Sequence, residues 1–261
     1  MDAVADRVIE GRGTSEAEWL GAPGLHELPR VTAELLVPSG HRAVMVAPHP
    51  DDEVLAVGGL LSHCVAIGRE LRLVAVTDGC ASHAGSHLWP PERLARERPL
   101  ESEEAWRRLG LAPRHGAASA AADCIRLGLP DGGLAEAVAL LTERLAALLR
   151  PTDVVFTTWR LDGHPDHEAT ARACVEAVAR TGARLVEVPV WAWHWSRPGD
   201  ARWPWHRARR IELDDATLQR KRHAVEAFTS QLMPDVSTGA GPILRDTTVQ
   251  RAARPFEVVF A

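Results

Sequence analysis

The chain has 261 residues, of which 46% are hydrophobic and 25% are charged, and its formal net charge is −5. This balance is ordinary for a globular protein and excludes the strongly basic surface of nucleic-acid-binding proteins, so we expect no nucleic-acid partner. No apolar run reaches the roughly 18 residues of a membrane span. The charged start MDAVADRVIEGRG lacks the apolar centre of a signal peptide, which predicts a cytoplasmic protein.

Along the chain, residues 1–40 predict an arm packed on a single domain that spans residues 41–261. The runs rich in apolar and β-branched residues predict strands at Arg42–Ala47, Leu71–Thr77, Cys124–Leu127, Asp153–Thr158, Arg184–Val190, Ala208–Leu213 and Phe256–Phe260. The amphipathic runs predict helices at Glu53–Gly68, 92–109, Leu134–Leu149, Glu168–Arg180 and Asp214–Thr229. Such alternation predicts a Rossmann-like α/β fold, a mostly parallel sheet with helices on both faces in three layers.

The C-terminal third carries a Trp-rich elaboration, WAWHWSRPGDARWPWH, at residues 191–206. Its alternating Trp191, Trp193 and Trp195 predict one face of a strand, packed on the core or on a partner subunit. A rim of flat rings that stack on sugars is the alternative. His194 falls on the opposite face of that strand and is a candidate for substrate contact. The sequence does not fix an oligomeric state.

Two clusters of metal-capable side chains each follow a predicted strand. The first is His49-Pro50-Asp51-Asp52-Glu53, directly after Arg42–Ala47, and the second is His164-Pro165-Asp166-His167, after the run that begins at Asp153. In open α/β sheets, ligands bind at the carboxyl ends of the strands, so the two clusters predict one shared site. Alternatively, each His-Pro-Asp is a loop turn, and Asp51 or Asp52 only caps the helix that follows.

Imidazole nitrogen and carboxylate oxygen are the usual protein ligands of catalytic zinc, which keeps one open position. His49, Asp52 and His167 supply three such ligands. Two histidines and one carboxylate also suit Fe²⁺ or Co²⁺, and zinc is the metal we expect. Zinc in such a site polarises a carbonyl oxygen and makes water more acidic, which is the chemistry of amide hydrolysis.

The remaining members of the clusters predict the proton-transfer groups. Asp51 stands next to a ligand and is the candidate general base. His164 is the candidate that donates a proton to a leaving nitrogen or stabilises an oxyanion. Asp166 is the candidate that orients one of the imidazoles and fixes its tautomer.

The segment VMVAPHPDDEVLAVGGLL resembles the signature of the PIG-L/LmbE-like de-N-acetylases, and GHPDH resembles their second motif. TDG at 77–79, CIRLGLPDGGL at 124–134 and KRHAVEAFTSQL at 221–232 also stand in the family's order, so the resemblance covers about residues 41–235. It implies a zinc-dependent hydrolase that removes acetyl groups from N-acetylated amino sugars. It also implies that His49, Asp52 and His167 are the zinc ligands, Asp51 the base, and His164 the acid or electrophile with Asp166 as its partner.

The resemblance also bears on substrate binding. Family members often place a basic residue in the helix at 92–109, which makes Arg98 a candidate for substrate contact, although a solvated charged face is the alternative. Some members use a tyrosine just before the second motif to hold the oxyanion, and this chain contains no tyrosine. Arg160 is the cationic residue in that neighbourhood and the candidate substitute.

Three functions therefore compete. The first is a zinc amidase that deacetylates an N-acetylglucosamine unit on a small aglycone, lipid or natural product. The second keeps the chemistry but acts on a thiol conjugate or peptide-like amide, and the third is a non-catalytic metal- or glycan-binding module. A dinucleotide site is disfavoured, because no G-x-G-x-x-G follows the first strand and the acidic residues there would repel a pyrophosphate.

Overall fold

The computed structural model of the protein describes residues 7–111 and 122–261. Seven strands form one sheet in the order β3-β2-β1-β4-β5-β7-β6. They are β1 (Arg42–Ala47), β2 (Leu71–Thr77), β3 (Ala122–Leu129), β4 (Asp153–Thr158), β5 (Arg184–Val188), β6 (Ala208–Glu212) and β7 (Phe256–Phe260). Each predicted strand is confirmed within a few residues except the one proposed for Trp191–Trp195.

Five neighbouring strands, from β3 to β5, pair in parallel, whereas β7 lies antiparallel to both β5 and β6. The predicted mostly parallel sheet is therefore confirmed. The chain leaves β1 towards β2 on one side, and β4 pairs with β1 on the other, so the strand order reverses between β1 and β4. Such a reversal opens a crevice at the carboxyl ends of the two strands, where both clusters emerge.

Helices cover both faces of the sheet. The longer ones are α4 (Asp52–Ala66), α5 (Pro91–Leu109), α6 (Leu134–Leu148), α7 (Pro165–Thr181), α9 (Asp215–Val225) and α11 (Asp246–Ala252). Met45 of β1 belongs to an apolar cluster that includes side chains of α4, α5 and α9, and its neighbour Val46 belongs to a second cluster that includes side chains of α6 and α7. Successive strand residues point to opposite faces, so these two apolar clusters are the interfaces of a three-layer α/β/α fold. In the two described segments, no helix has the length and apolarity that a membrane crossing requires.

Six of the nine tryptophans belong to a third apolar cluster, which also includes side chains of strands β6 and β7. It includes the buried Trp19, Trp159, Trp193 and Trp203, whose rings meet edge-on or tilted, with centroids 4.5–6.0 Å apart. Trp19 belongs to the first of three short helices of the N-terminal segment, α1 (Glu16–Leu20), α2 (Pro23–His26) and α3 (Ala33–Leu36). Residues 1–6 of the predicted arm lie outside the described residues.

The predicted strand at Trp191–Trp195 is wrong, because this segment contains the short helix α8 (Ala192–Trp195). The carboxylate of Asp162 accepts hydrogen bonds from the backbone N–H groups of Val190, Trp191 and Ala192, which satisfies the free amides at the start of that helix. A tertiary contact thus overrides the local alternation. The expectation that these rings pack on the core is met by Trp193, which is 7% exposed.

Helix α4 carries the first cluster and is kinked at Val57, where φ is −139° and ψ is 22°. Across the kink, Glu257 of β7 accepts hydrogen bonds from the amides of Gly59 and Leu60, both at 2.8 Å. The ammonium of Lys221 donates to Glu257 at 2.6 Å and to the carbonyl of Leu55 at 3.1 Å. The buried ion pair therefore satisfies the backbone groups that the kink frees, and it fixes the first turn of α4.

We expect Glu257→Gln to lower the free energy of unfolding by about 3 kcal/mol, because it leaves the Lys221 ammonium buried without a counter-charge. Urea unfolding followed by circular dichroism measures this. The matched control is Glu104→Gln, which breaks an ion pair with Arg107 on the exposed side of α5 and is expected to leave the midpoint unchanged. Equal midpoints for the two variants would contradict the assigned role of the buried pair.

Candidate active site

The two predicted clusters meet at the reversal of strand order. His49 lies in the loop after β1 and Asp52 is the first residue of α4, whereas His167 is the third residue of α7. His49 Nδ1 lies 3.3 Å from Asp52 Oδ2, His167 Nε2 lies 3.3 Å from the same oxygen, and the two nitrogens are 3.3 Å apart. We call these three atoms the donor triangle. The sequence thus correctly predicts which side chains converge.

The donor triangle fits a tetrahedral metal ion. Ligand atoms that each stand 2.0–2.1 Å from a tetrahedral zinc are separated from one another by about 3.3 Å, which is the side of this triangle. Three protein ligands leave the fourth position open. His164 also offers a donor atom within 4.8 Å of donors on His49 and His167, as do Asp131 and Asp166 with His49. The equilateral 3.3 Å geometry favours His49, Asp52 and His167 as the ligand set.

Both histidines of the donor triangle have a carboxylate on the ring nitrogen that faces away from it. His167 Nδ1 lies 2.7 Å from Asp162 Oδ2, and His49 Nε2 lies 3.1 Å from Asp131 Oδ1 and 3.3 Å from Asp166 Oδ2. Each outer nitrogen is therefore placed to donate its proton to a carboxylate, and each inner nitrogen is the one that would bind a metal once it has lost its own proton. The proximity of His49, Asp131 and Asp166 is explained by these hydrogen bonds and needs no second ion.

The charges around the donor triangle are tightly paired. Burial lowers the pKa of His167, but the Asp52 charge and the hydrogen bond to Asp162 outweigh burial and raise that pKa to about 9. Burial opposes ionisation of Asp52, yet the two histidines hold its pKa well below the ordinary value. A metal ion and a proton would compete for the same imidazole nitrogens, so metal binding at neutral pH releases protons.

Sequence reasoning did not assign Asp162 and Asp131 to the imidazoles. Asp162 is fully buried, and its carboxylate receives the three amides at the start of α8 in addition to His167. Asp131 lies in the turn after β3, where its sequence reads as a Pro-Asp-Gly-Gly turn, and it also accepts from the amide of Ala81 at 2.6 Å. An acid five residues before the predicted ligand His167 was the available signal for Asp162.

We expect Asp162→Asn to weaken zinc binding about 10–100-fold, because the outer carboxylate holds His167 in the metal-binding tautomer and orientation. Competition with a fluorescent zinc chelator measures the affinity. The matched control is Asp123→Asn, which removes a half-exposed carboxylate paired with Arg72. If the affinities of the two variants agree within twofold, Asp162 does not support the metal site.

Asp51, the predicted base, stands immediately before α4 in a strained backbone conformation. Its φ of 150° is the only positive φ of a non-glycine residue within residues 7–111 and 122–261. Its amide donates to Glu53 Oε2 at 3.1 Å, and Glu53 in turn accepts from the hydroxyl of Ser102 at 2.6 Å. Strain held by buried contacts is typical of a functional position.

The pKa of Asp51 is suited to a base. Burial raises it to about 7, and Asp52 also raises it, while the Arg98 guanidinium acts in the opposite direction. A carboxyl whose pKa lies near neutrality exchanges a proton readily at physiological pH. The position of Asp51 can be predicted from the sequence, but this environment cannot, because Arg98 comes from α5 and the burial comes from the folded chain.

Arg98, one of the predicted substrate-binding residues, is buried with 3% of its surface exposed, so the solvated charged face is wrong for this position. Its Nη2 donates to Asp51 Oδ2 and to the carbonyl of Pro50, both at 3.1 Å, and its Nη1 donates to the carbonyl of Gly79 at 2.8 Å. Arg98 therefore orients the carboxylate of Asp51. Direct contact with substrate stays a prediction.

The assignment of Asp166 as the partner of His164 needs correction. Its carboxylate accepts from the amides of Gly132 and Leu134 and lies beside His49 instead. Only the backbone N–H of Asp166 reaches His164, where it donates to Nδ1 at 3.2 Å. This contact arises because His164 caps α7, and it leaves the proton of the neutral ring on Nε2. Burial, followed by the charges of His167 and His49, lowers the pKa of His164 to about 3.

The other two predicted substrate-binding residues are engaged elsewhere. Arg160 donates to Glu187 of β5 at 2.7 and 2.8 Å, so its guanidinium is paired with a buried carboxylate. His194 is 1% exposed, and its Nε2 lies 3.0 Å from the carbonyl of Glu10 in the N-terminal segment. The structure therefore brings neither side chain to the donor triangle through the contacts it forms.

Comparison with known proteins gives a consistent pattern. The family model described as PIG-L, GlcNAc-PI de-N-acetylase, matches residues 44–178. A 1D-myo-inositol 2-acetamido-2-deoxy-alpha-D-glucopyranoside deacetylase of Mycobacterium sp. (strain KMS) is 34% identical over an alignment 177 residues long, and the match covers 58% of this chain and 54% of the relative. The chain thus spans about half the length of the curated relatives it matches.

Solved structures share the fold. An antimicrobial pseudoaglycone deacetylase superimposes with a TM-score of 0.62 at 23% identity and covers 84% of this chain and 96% of its own. The N,N'-diacetylchitobiose deacetylase of Pyrococcus horikoshii superimposes with a TM-score of 0.55 at 22% identity and covers 73% of this chain and 70% of its own. At these identities the likeness establishes the α/β fold.

Proposed function

Because the chain belongs to the PIG-L family of de-N-acetylases, we propose that it is a metal-dependent deacetylase of an N-acetylglucosamine-type amino sugar. The donor triangle of His49, Asp52 and His167 carries this proposal, since its 3.3 Å sides match a metal that keeps one position open. The mycobacterial relatives are deacetylases of an inositol-linked acetamido-glucopyranoside, which supports a sugar of this class as substrate. The sugar would be carried on a small aglycone, a lipid or a natural product.

Zinc is the metal we propose, and Fe²⁺ or Co²⁺ suits the same donors. When bound, the metal would supply Lewis acidity that polarises the amide carbonyl and makes water more acidic. Asp51 would accept the proton of the attacking water, which its pKa of about 7 and its fixed position beside Arg98 favour.

His164 would serve as a neutral hydrogen-bond donor. Its Nδ1 is occupied by the amide of Asp166, so Nε2–H is the free donor, and a pKa of about 3 keeps the ring uncharged near neutrality. A neutral imidazole can stabilise the negative charge that develops on the carbonyl oxygen. Catalytic histidines that a lowered pKa keeps neutral play this role in other enzymes. This favours oxyanion stabilisation over proton donation, the two roles that the sequence leaves open.

Free amine and acetate release from a substrate panel tests the proposal. The panel holds N-acetylglucosamine, two of its glycosides with a polar and an alkyl aglycone, and two N-acetylated amides without a sugar, one of them a thiol conjugate. The proposal predicts equimolar acetate and amine from the sugars only. Release from the sugar-free amides alone would contradict the substrate class, and no release from any compound by the zinc-loaded protein would contradict the reaction.

A further inference from the structure

The N-terminal arm reaches the loop that carries His164. Arg7 lies in this arm, outside the span that the family model matches, and its guanidinium forms a bidentate ion pair with Glu168 of α7. The Arg7 Nε and Nη2 atoms lie 3.0 and 2.8 Å from Glu168 Oε1, and Nη2 lies 3.0 Å from Oε2. Both side chains are buried, with 5% and 6% exposed. A buried bidentate pair of this kind is geometrically specific.

Glu168 connects Arg7 to the loop that precedes His164. It follows His167 directly, and its Oε1 accepts a hydrogen bond from the amide of Gly163 at 3.0 Å. Gly163 precedes His164 and has a φ of 95°, a conformation that favours glycine. The carboxylate therefore ties the first turn of α7 to the residue that sets the direction of His164.

The arm also packs on Gly163 itself. A Cβ at this glycine would lie 3.1 Å from the backbone carbonyl oxygen of Arg7 and 2.8 Å from the indole of Trp195. The Trp195 indole N–H donates to the carbonyl of Asp162 at 2.7 Å, so the loop is held on a second side. The loop before His164 thus lies between the arm and the Trp-rich segment, with no room for a side chain at 163.

Further contacts anchor the arm so that Arg7 is presented to Glu168. Thr14 donates from its hydroxyl to the carbonyl of Ser196, and Arg251 donates to the carbonyl of Thr14 at 2.8 Å. Glu16 forms a buried ion pair with Arg254, whose Nη2 lies 2.7 Å from Oε2. His194 belongs to this set, because its ring meets Glu10. The predicted substrate contact of His194 is therefore replaced by a role in holding the arm.

We propose that the N-terminal arm completes the active site, and that Arg7 is a positioning residue that acts through Glu168 and Gly163 on His164. The consequence for turnover rests on the proposed function, whereas the consequence for the loop does not. Without Arg7, the buried Glu168 carboxylate loses its counter-charge and hydrates, and the Gly163 amide loses a fixed acceptor. His164 then samples orientations outside the productive one, which lowers kcat.

The test compares Arg7→Met and Arg7→Lys with Arg12→Met, which removes an exposed arginine of the same arm. Hydrogen–deuterium exchange of the zinc-loaded proteins measures how often the backbone amides of the loop before His164 open to solvent. We expect the peptide that spans residues 160–167 to exchange at least tenfold faster in Arg7→Met than in the control, with the peptides of β1 and β4 unchanged. Arg7→Lys, which keeps the charge but not the bidentate geometry, is expected to fall between them. Equal exchange in Arg7→Met and Arg12→Met overturns the inference, whatever the activity.

Kinetics on the preferred sugar then test the route of the effect. We expect Arg7→Met to lower kcat about 10–100-fold with KM within twofold and with zinc content unchanged. In a His164→Ala background, Arg7→Met is expected to cause no further loss, because the residue through which it acts is gone. Losses that multiply in the double variant would overturn the route through His164. If the protein releases no acetate while the loop responds to Arg7, the proposed function fails and the positioning role stands.

Discussion

Replacing Asp51 with asparagine is expected to lower kcat by about 100- to 10 000-fold while zinc remains bound, because asparagine cannot accept a proton. The substitution leaves the shape of the side chain and the hydrogen-bond acceptor that faces Arg98. Asparagine also tolerates a positive φ better than most residues, so the strained turn before α4 is expected to persist. The loss therefore reports the proton transfer and not a collapse of the site.

Acetate release and zinc content, measured on the same preparation, check this expectation. Asp123→Asn applies the same chemical change to a half-exposed acid on β3 and is expected to keep the activity of the parent protein. If Asp51→Asn deacetylates at a near-normal rate, another group accepts the proton and the assignment is wrong. If the variant loses its zinc together with its activity, Asp51 belongs to the ligand set instead.

The second large effect is expected for His167→Ala, which removes one corner of the donor triangle. The loss of a carboxylate behind a ligand costs about 10–100-fold in metal affinity, so the loss of the ligand itself is expected to cost at least 100-fold. Activity is expected to fall below detection at equimolar zinc, since Asp52 and His49 alone leave the ion with two protein ligands. Zinc affinity by competition with a chelator provides the measurement.

Thermal unfolding gives an independent readout of the same variant. A ligand at 1,000 times its dissociation constant stabilises the folded state by about 4 kcal/mol, so zinc is expected to raise the Tm of the parent protein by several degrees. A site weakened 100-fold is stabilised by only about 1.4 kcal/mol at the same zinc concentration, so the Tm of His167→Ala is expected to rise by about a third as much or less. His223→Ala, at an exposed position of α9, is the control and should respond to zinc as the parent does. A zinc-dependent rise in His167→Ala as large as that of the parent would show that the stabilising ion binds elsewhere.

The sequence predicts the convergence of the two clusters because one of the features that determine it is local. Each cluster directly follows a strand, and β1 and β4 are neighbours in parallel register, so His49, Asp52 and His167 had to emerge at one edge. The alternation of strands and helices likewise determines the three-layer fold. Periodicity and turn residues carry this information, and both are read over windows of a few residues.

The residues that surround the donor triangle could not be predicted in the same way, because their partners are distant in sequence. Arg7 and Glu168 are 161 positions apart, and Arg98 and Asp51 are 47 positions apart. The alternation of tryptophans predicts a strand, yet the Asp162 carboxylate, which also binds His167, stabilises the start of a helix there. From the sequence alone, Arg98 is expected to lie on a solvated face of α5, because nothing local indicates that it pairs with the buried Asp51.

Metal dependence at the donor triangle is tested most directly by acetate release from N-acetylglucosaminides, using protein stripped of metal and then titrated with zinc. We expect no release before zinc, a linear rise in rate up to one equivalent, and a plateau beyond it, because one donor triangle binds one ion. A full rate in the stripped protein with chelator present, or no release at one bound equivalent, would contradict a metal-dependent deacetylase at His49, Asp52 and His167.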